Sequence, residues 1–278
     1  VYINLNAGEH GFADRITAIG AGGRNSVSGS VPVPSGIYQE YFGVAMYGIQ
    51  KARVFESGFG FGVSNTVVDS IVQDAFRIST GTAVSPDHLR VPFYLDMSNS
   101  VFDGGLAALA ETSAWIKISQ GGRTLADIQA HSGATNTPFY AGRDDEWMFI
   151  NGVTGPLPYG GNFSVDFKYL PGVPISISMQ LEAFGEVNSI LGRPGGGSAQ
   201  ARADAARSLY WGGIQAFAAD GSEITDFTVT SDSGTDWRQS FIPSAVPEPS
   251  APVLFMIGLA AVGARALRRK PAQEPRSI

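Results

Sequence analysis

Cysteine is absent from the 278 residues, which removes disulfides, cysteine-ligated zinc and thiol catalysis together. The compartment stays open on this ground, because oxidising export routes also carry cysteine-free proteins. Charge is scarce too: Asp, Glu, Lys and Arg make up 16% of the chain, against about 25% in an ordinary soluble protein. Apolar residues at i, i+3, i+4 and i+7, the spacing an amphipathic helix needs, are rare before the last thirty or so residues. No stretch before residue 246 concentrates Lys and Arg, so the basic patch that displaces counterions from phosphates is missing and nucleic acid is not an expected partner.

Signatures of common chemistry are missing as well. There is no G-x-S-x-G elbow and no phosphate loop of the G-x-x-x-x-G-K-[ST] type. His10, His88 and His131 stand far apart, so no zinc site is written locally and the histidines read as loop or surface residues. Gly58-Phe-Gly-Phe-Gly62 has Val63 where a dinucleotide loop would carry its third glycine; its phenylalanines read as sheet packing and its glycines as points of close backbone approach. The expectation is a protein without cofactor, metal or catalytic residues, and not an enzyme.

What the chain has in excess is glycine, 35 residues of 278, and short runs of alternating apolar and polar residues bounded by Gly, Pro, Asn or Asp. That pattern predicts an all-β protein. Candidate strands are Ile37 to Tyr47, Ala52 to Val63, Ser70 to Ser79, Val91 to Met97, Ala114 to Ser119, Glu146 to Asn151, Phe163 to Tyr169, Ile175 to Phe184, Leu209 to Ala218 and Phe227 to Ser231. About ten strands suit a two-sheet β-sandwich, jelly-roll-like in kind.

Two strands show the alternation most clearly. In one, Ile175, Ile177, Met179 and Leu181 fall on one face, with Ser176, Ser178, Gln180 and Glu182 on the other. In the other, Phe163, Val165, Phe167 and Tyr169 face inward and Ser164, Asp166 and Lys168 outward, and Leu170-Pro-Gly-Val-Pro174 joins the two through a turn. Leu106 to Ala110 and Leu125 to Ala130, where small residues and leucines cluster, are candidates for short helices, neither long enough to set the fold. Gly192 to Ser198 and the alanine-rich residues up to Ala206 read as a flexible connection.

Three features bear on binding. Arg143-Asp-Asp-Glu-Trp147 is the densest acidic spot, but neighbours on an extended strand point to opposite faces, so it reads as a solvated turn or a weak oxygen-ligand calcium site rather than a catalytic pair. Asp220-Gly-Ser-Glu223 reads as a hairpin turn. Trp115, Trp147, Trp211 and Trp237 either pack the core or form a sugar-stacking platform, and side-chain exposure decides between these.

The charge divides unevenly. Before Val246 there are 14 basic and 23 acidic residues, net −9; from Val246 onward there are 5 and 2, net +3. The basic part opens Val246-Pro-Glu-Pro-Ser-Ala-Pro and continues into an uncharged run of 14 residues, from Ala251 to Ala264. As a helix that run is about 21 Å long, short of a bilayer core of about 30 Å, and it is apolar all round, which a helix packed on one side of a core is not. Pro252, Leu254, Phe255, Ile257, Leu259 and Val262 line it; Arg265, Arg268, Arg269 and Lys270 follow as a stop that stays cytoplasmic under the positive-inside rule. Pro252 is tolerated in a first helical turn, and Arg265 can snorkel to the headgroups.

Pro247-Glu-Pro249, the apolar stretch and the basic end, in that order, resemble the PEP-CTERM sorting signal of Gram-negative bacteria that make exopolysaccharide. More weakly, Ala206 to Ile214 and Thr225 to Trp237 resemble the closing strands of many proteins that carry it. The alternation places a β-sandwich domain over 1–245, and the resemblance implies a sorting signal over 246–278 comprising the motif, a single transmembrane helix and a basic tail. It implies that exosortase reads Pro247, Glu248 and Pro249, that the inner membrane is a transient partner, and that the processed body reaches the cell surface or extracellular matrix in association with exopolysaccharide. It also leads us to expect a signal peptide upstream of Val1. A matrix protein needs only a stable sandwich, a carbohydrate-binding module would display exposed Trp or Tyr rings, and a glycan-acting enzyme would set two carboxylates across a cleft.

Overall fold

Period-two alternation governs the chain, and it is satisfied by two antiparallel sheets whose apolar faces meet. The computed structural model describes residues 2–9, 14–19, 24–33, 37–59, 63–81, 85–137, 140–157, 161–188 and 197–243. Residues 1–242 form one compact unit and a second begins at Pro243. The expected helix at 251–264, the Pro-Glu-Pro motif and the basic cluster all lie outside the described residues.

The first sheet runs in the order β12 (Val153–Gly155), β11 (Tyr140–Ile150), β10 (Arg123–Thr137), β9 (Ala107–Gln120), β14 (Ile175–Asn188), β6 (Val63–Thr80), β1 (Tyr2–Glu9) and β2 (Asp14–Ile19), with β18 (Phe227–Ser231) also on β6. The second runs β17 (Glu223–Ile224), β16 (Gln215–Phe217), β7 (His88–Leu95), β15 (Ser198–Trp211), β5 (Ile49–Phe59), β4 (Ile37–Met46) and β3 (Arg24–Val33); β13 (Asn162–Lys168) pairs with β7 and β8 (Ser98–Gly104) with β15. The pairing is nested: β5 lies beside β15, β6 beside β14 and β7 beside β13. Between the sheets, β14 packs on β5 and β15, and one apolar cluster fills the space.

The two clearest alternations fold as read. Ile175, Ile177, Met179 and Leu181 are buried, and Val165, Phe167 and Tyr169 are buried opposite an exposed Ser164, Asp166 and Lys168. Leu170-Pro-Gly-Val-Pro174 makes the expected turn, with the Val173 amide donating to the Leu170 carbonyl and Gly172 at φ +78°, and it carries the chain as an arch from one sheet to the other. Gln120 pins that arch: its Nε2 donates to the carbonyls of Leu170 and Val173, each at 2.8 Å, and its Oε1 accepts from the Leu170 amide at 2.9 Å.

Several expectations are overturned. Leu106 to Ala110 and Leu125 to Ala130 are not helices: Ala107–Gln120 is strand β9, and residues 125–130 lie in β10. In β10, Ala126, Ile128 and Ala130 are buried; Ala126 is paired with β9, and Ile128 and Ala130 with both β9 and β11, so strand pairing outweighs the helix preference of alanine. Residues 199–206 are not a flexible connection but the first part of β15, with Ala199, Ala201, Ala203 and Ala205 all buried; Gly192 to Gly196 lie outside the described residues. Residues 143–147 are not a turn; they sit mid-strand in β11, paired with Thr135 to His131. His88 and His131 are partly exposed, as surface residues should be, but they lie in strands β7 and β10 and not in loops.

The expected strand from Leu209 to Ala218 is broken after Trp211 by Gly212 and Gly213. Gly213 has φ +91°, and a Cβ there would stand 2.5 Å from the carbonyl oxygen of Arg238. Gly213→Ala is therefore expected to lower stability by about 1–3 kcal/mol, measured by urea denaturation; an unchanged midpoint would show that the Arg238 segment moves aside freely. Asp220 and Gly221 do make a hairpin turn, joining β16 to β17. The chain then changes sheets, so that β18 pairs with β6 instead of extending the hairpin.

Candidate functional site

The outer face of the first sheet gathers the side chains whose role the sequence leaves undecided. Because residues two apart share a face, register across the sheet sorts them into rows. One row reads Asp69, Glu182, Ser113, His131 and Trp147, from β6 through β14, β9 and β10 to β11. The next reads Ile71, Gln180, Trp115, Gln129 and Phe149, and the third Gln73, Ser178, Lys117 and Asp127.

The four tryptophans split into two pairs. Trp211 and Trp237 are wholly buried, whereas Trp115 and Trp147 are 37% and 36% exposed. Trp147 is held in place: its ring stacks on the His131 imidazole, centroids 5.6 Å apart and planes at 26°, and His131 Nδ1 shares a hydrogen bond of 3.1 Å with Ser113 Oγ. Inside, Trp211 Nε1 donates to the Trp237 carbonyl at 2.8 Å, and the rings meet edge-on at 4.9 Å. That contact joins the two segments, 206–214 and 225–237, singled out in the sequence for their weaker resemblance.

Carboxylates lie beside the exposed rings. Glu182 is pushed up to about 7, first by burial and then by the charge of Asp69, a hydrogen bond with it, and the charge of Glu111. Gln180 Nε2 donates to Asp69 Oδ1 at 3.2 Å. Asp69 and Glu182 thus stand side by side on one sheet face as cross-strand neighbours, not on opposite walls of a cleft as glycoside hydrolysis requires. Among the described residues no group of three or more His, Asp or Glu side chains is placed to hold a metal ion.

Where the third row meets residues 232–233, a cleft of about 500 Å³ opens, lined by Gln73, Lys117, Ser178, Tyr47, Asp232 and Ser233. Its floor is fixed by Asp74, which accepts from Trp237 Nε1 at 2.7 Å and from Ser233 Oγ at 2.5 Å. No sequence motif marks this cleft; it exists because β18 takes up pairing with β6 beyond the end of β1, leaving residues 72–75 bordered by the turn after Ser231.

Gly58 is a buried residue of β5, and residues 60–62 of the glycine-phenylalanine stretch, like His10, lie outside the described residues. His88 stacks on Phe217 at 5.0 Å and stands 3.7 Å from Asp87. Among the described residues no helix is long and apolar enough to cross a membrane.

No curated protein and no solved structure matches the chain. Residues 245–270 match the PEP-CTERM protein-sorting motif. The chain therefore carries a PEP-CTERM sorting signal, of a kind that implies exosortase as its processing partner, export, and membrane-anchored processing before release at the surface.

Proposed function

We propose that the protein is an exported surface or extracellular-matrix component that associates with exopolysaccharide and performs no chemistry of its own. The observation that carries this is the sorting motif over residues 245–270. In this reading exosortase recognises Pro247, Glu248 and Pro249. The helix carrying Pro252, Leu254, Phe255, Ile257, Leu259 and Val262 holds the exported body at the inner membrane, and Arg265, Arg268, Arg269 and Lys270 keep its end cytoplasmic. A proline-flanked glutamate holds its backbone extended and open to a protease, and a 14-residue uncharged run suits an anchor that is cut away. The nested pairing of β5, β6 and β7 with β15, β14 and β13 supports a jelly-roll-like body.

The test is made on cells expressing the full gene. With Glu248→Ala and Pro249→Ala together, full-length protein is expected to accumulate in the inner-membrane fraction and the shorter surface form to disappear from immunoblots. In a strain that makes no exopolysaccharide, the natural protein is expected in the medium instead of on the cells. Unchanged surface release of the double variant overturns the sorting role; unchanged retention without exopolysaccharide overturns the association.

A further inference from the structure

We infer that the outer face of the first sheet is a binding track for a neutral polysaccharide, running diagonally from Trp147 over Trp115 into the cleft beside Lys117. This rests on the proposed association with exopolysaccharide and gives it a site and a substrate class. A sugar ring has an apolar face of C–H groups and an edge of hydroxyls; it is held by a flat aromatic surface with hydrogen-bonding side chains around it. Trp115 and Trp147 supply the surface, and Gln129 and Gln180, each a cross-strand neighbour of Trp115, supply amide donors and acceptors.

Geometry favours a chain over a single sugar. Trp147 and Trp115 lie two strands and one row apart, which places their Cα atoms about 12 Å from each other, a spacing on the scale of a disaccharide. One further step along the same diagonal reaches Lys117, Ser178 and Gln73 at the cleft mouth. The cleft volume of about 500 Å³ falls among those that hold small ligands, about 300–1,000 Å³. Packing alone does not explain the exposed pair, for the same chain buries Trp211 and Trp237 completely. The Ser113–His131–Trp147 relay fixes one platform before any ligand arrives, which lowers the ordering cost of binding.

Charge selects the occupant. Asp69 and Glu182 stand in the row that carries Trp147, with Glu111 one row beyond it on the same face, and a polyanion laid along the track would meet them with like charge. A neutral chain meets them as hydrogen-bond acceptors.

The experiment is affinity electrophoresis of the purified full chain in gels containing a neutral β-glucan, a neutral galactomannan, or alginate as the polyanion. Retardation by at least one neutral polymer and none by alginate is expected, weakened at least about ten-fold by Trp115→Ala with Trp147→Ala. Gln129→Ala is expected to weaken it less. Phe102→Ala, at a ring 57% exposed on β8 of the other sheet, should leave it unchanged. Near-ultraviolet circular dichroism checks that each variant is folded. Equal retardation of the double tryptophan variant, retardation by alginate alone, or no retardation by any polymer would overturn the inference. Because this uses purified protein, its failure is separate from failure of the cell-fractionation test of sorting.

Discussion

Glu56→Gln is expected to make the protein more stable at pH 8 by several kcal/mol and to flatten its dependence on pH. Glu56 is 0% exposed, on β5 between the sheets, and burial pushes its carboxyl up to about 8, against hydrogen bonds from Thr66 and Gln39 and with a further push from the charge of Glu186. Thr66 Oγ1 donates to Oε1 at 2.5 Å and Gln39 Nε2 at 3.1 Å; Gln39 also bonds Ser64. Below about pH 4.5 the carboxyl is protonated in both folded and unfolded chains, and its contribution to stability is whole. Above that the unfolded chain releases the proton while the folded chain keeps it up to about pH 8. The folded state then binds more protons, so stability falls as pH rises through this window, by about 1.4 kcal/mol for each pH unit crossed.

Glutamine keeps the shape, has nothing to ionise, and brings an amide donor to a place where Glu56 Oε2 and Gln39 Oε1 find no partner among the described residues. Urea unfolding of both proteins at pH 5 and pH 8 checks this. Parallel losses in the two would mean that another group governs the slope.

The second large effect is Trp211→Ala, expected to destabilise by about 3–5 kcal/mol, a large share of the roughly 5–15 kcal/mol typical of a whole domain. Trp211 is 0% exposed and meets Phe93 edge-on at 5.4 Å, Phe76 at 6.4 Å and Trp237 at 4.9 Å. Removing the indole leaves a cavity and orphans the Trp237 carbonyl, which accepts its Nε1–H. Trp115→Ala, at a half-exposed ring, should fall within about 1 kcal/mol of the natural protein. Denaturant midpoints compare the two directly, and equal losses would show that Trp211 does not hold the core.

What could be read from the sequence follows the size of the inward side chains. β14 and β13 were legible because Ile, Met, Leu, Val and Phe alternate with Ser, Gln, Asp and Lys, and β18 was placed at its observed ends. β15 and β10 were not, because their inward positions carry alanine, whose intrinsic preference is helical and whose apolar signal is weak. The period-two pattern was present in both, as Ala199, Ala201, Ala203, Ala205 and as Ala126, Ile128, Ala130; counting alternation without weighting by size would have found it.

β3 escaped for the same reason in a more polar form, its Arg24-Asn-Ser-Val-Ser-Gly sequence offering one large apolar residue in six. Of the site, the tryptophans were visible but their division into buried and exposed pairs was not, since it depends on which strands lie beside β9 and β11. The rows of the outer face come from register between strands as distant in sequence as β6 and β14, which no local pattern encodes.

The joint between Trp211 and the end of the described chain has a mechanical consequence. The Phe241 amide donates to the Trp211 carbonyl at 2.8 Å, and Trp237 is locked to Asp74 and Trp211 in the interior. While the tail is tethered, tension along it enters the sandwich at this central aromatic cluster and not at a marginal strand such as β17 or β12. A body loaded there resists until several buried contacts yield together, so a pull on the chain beyond Pro243 is met at buried aromatic contacts and not by peeling at the rim of a sheet.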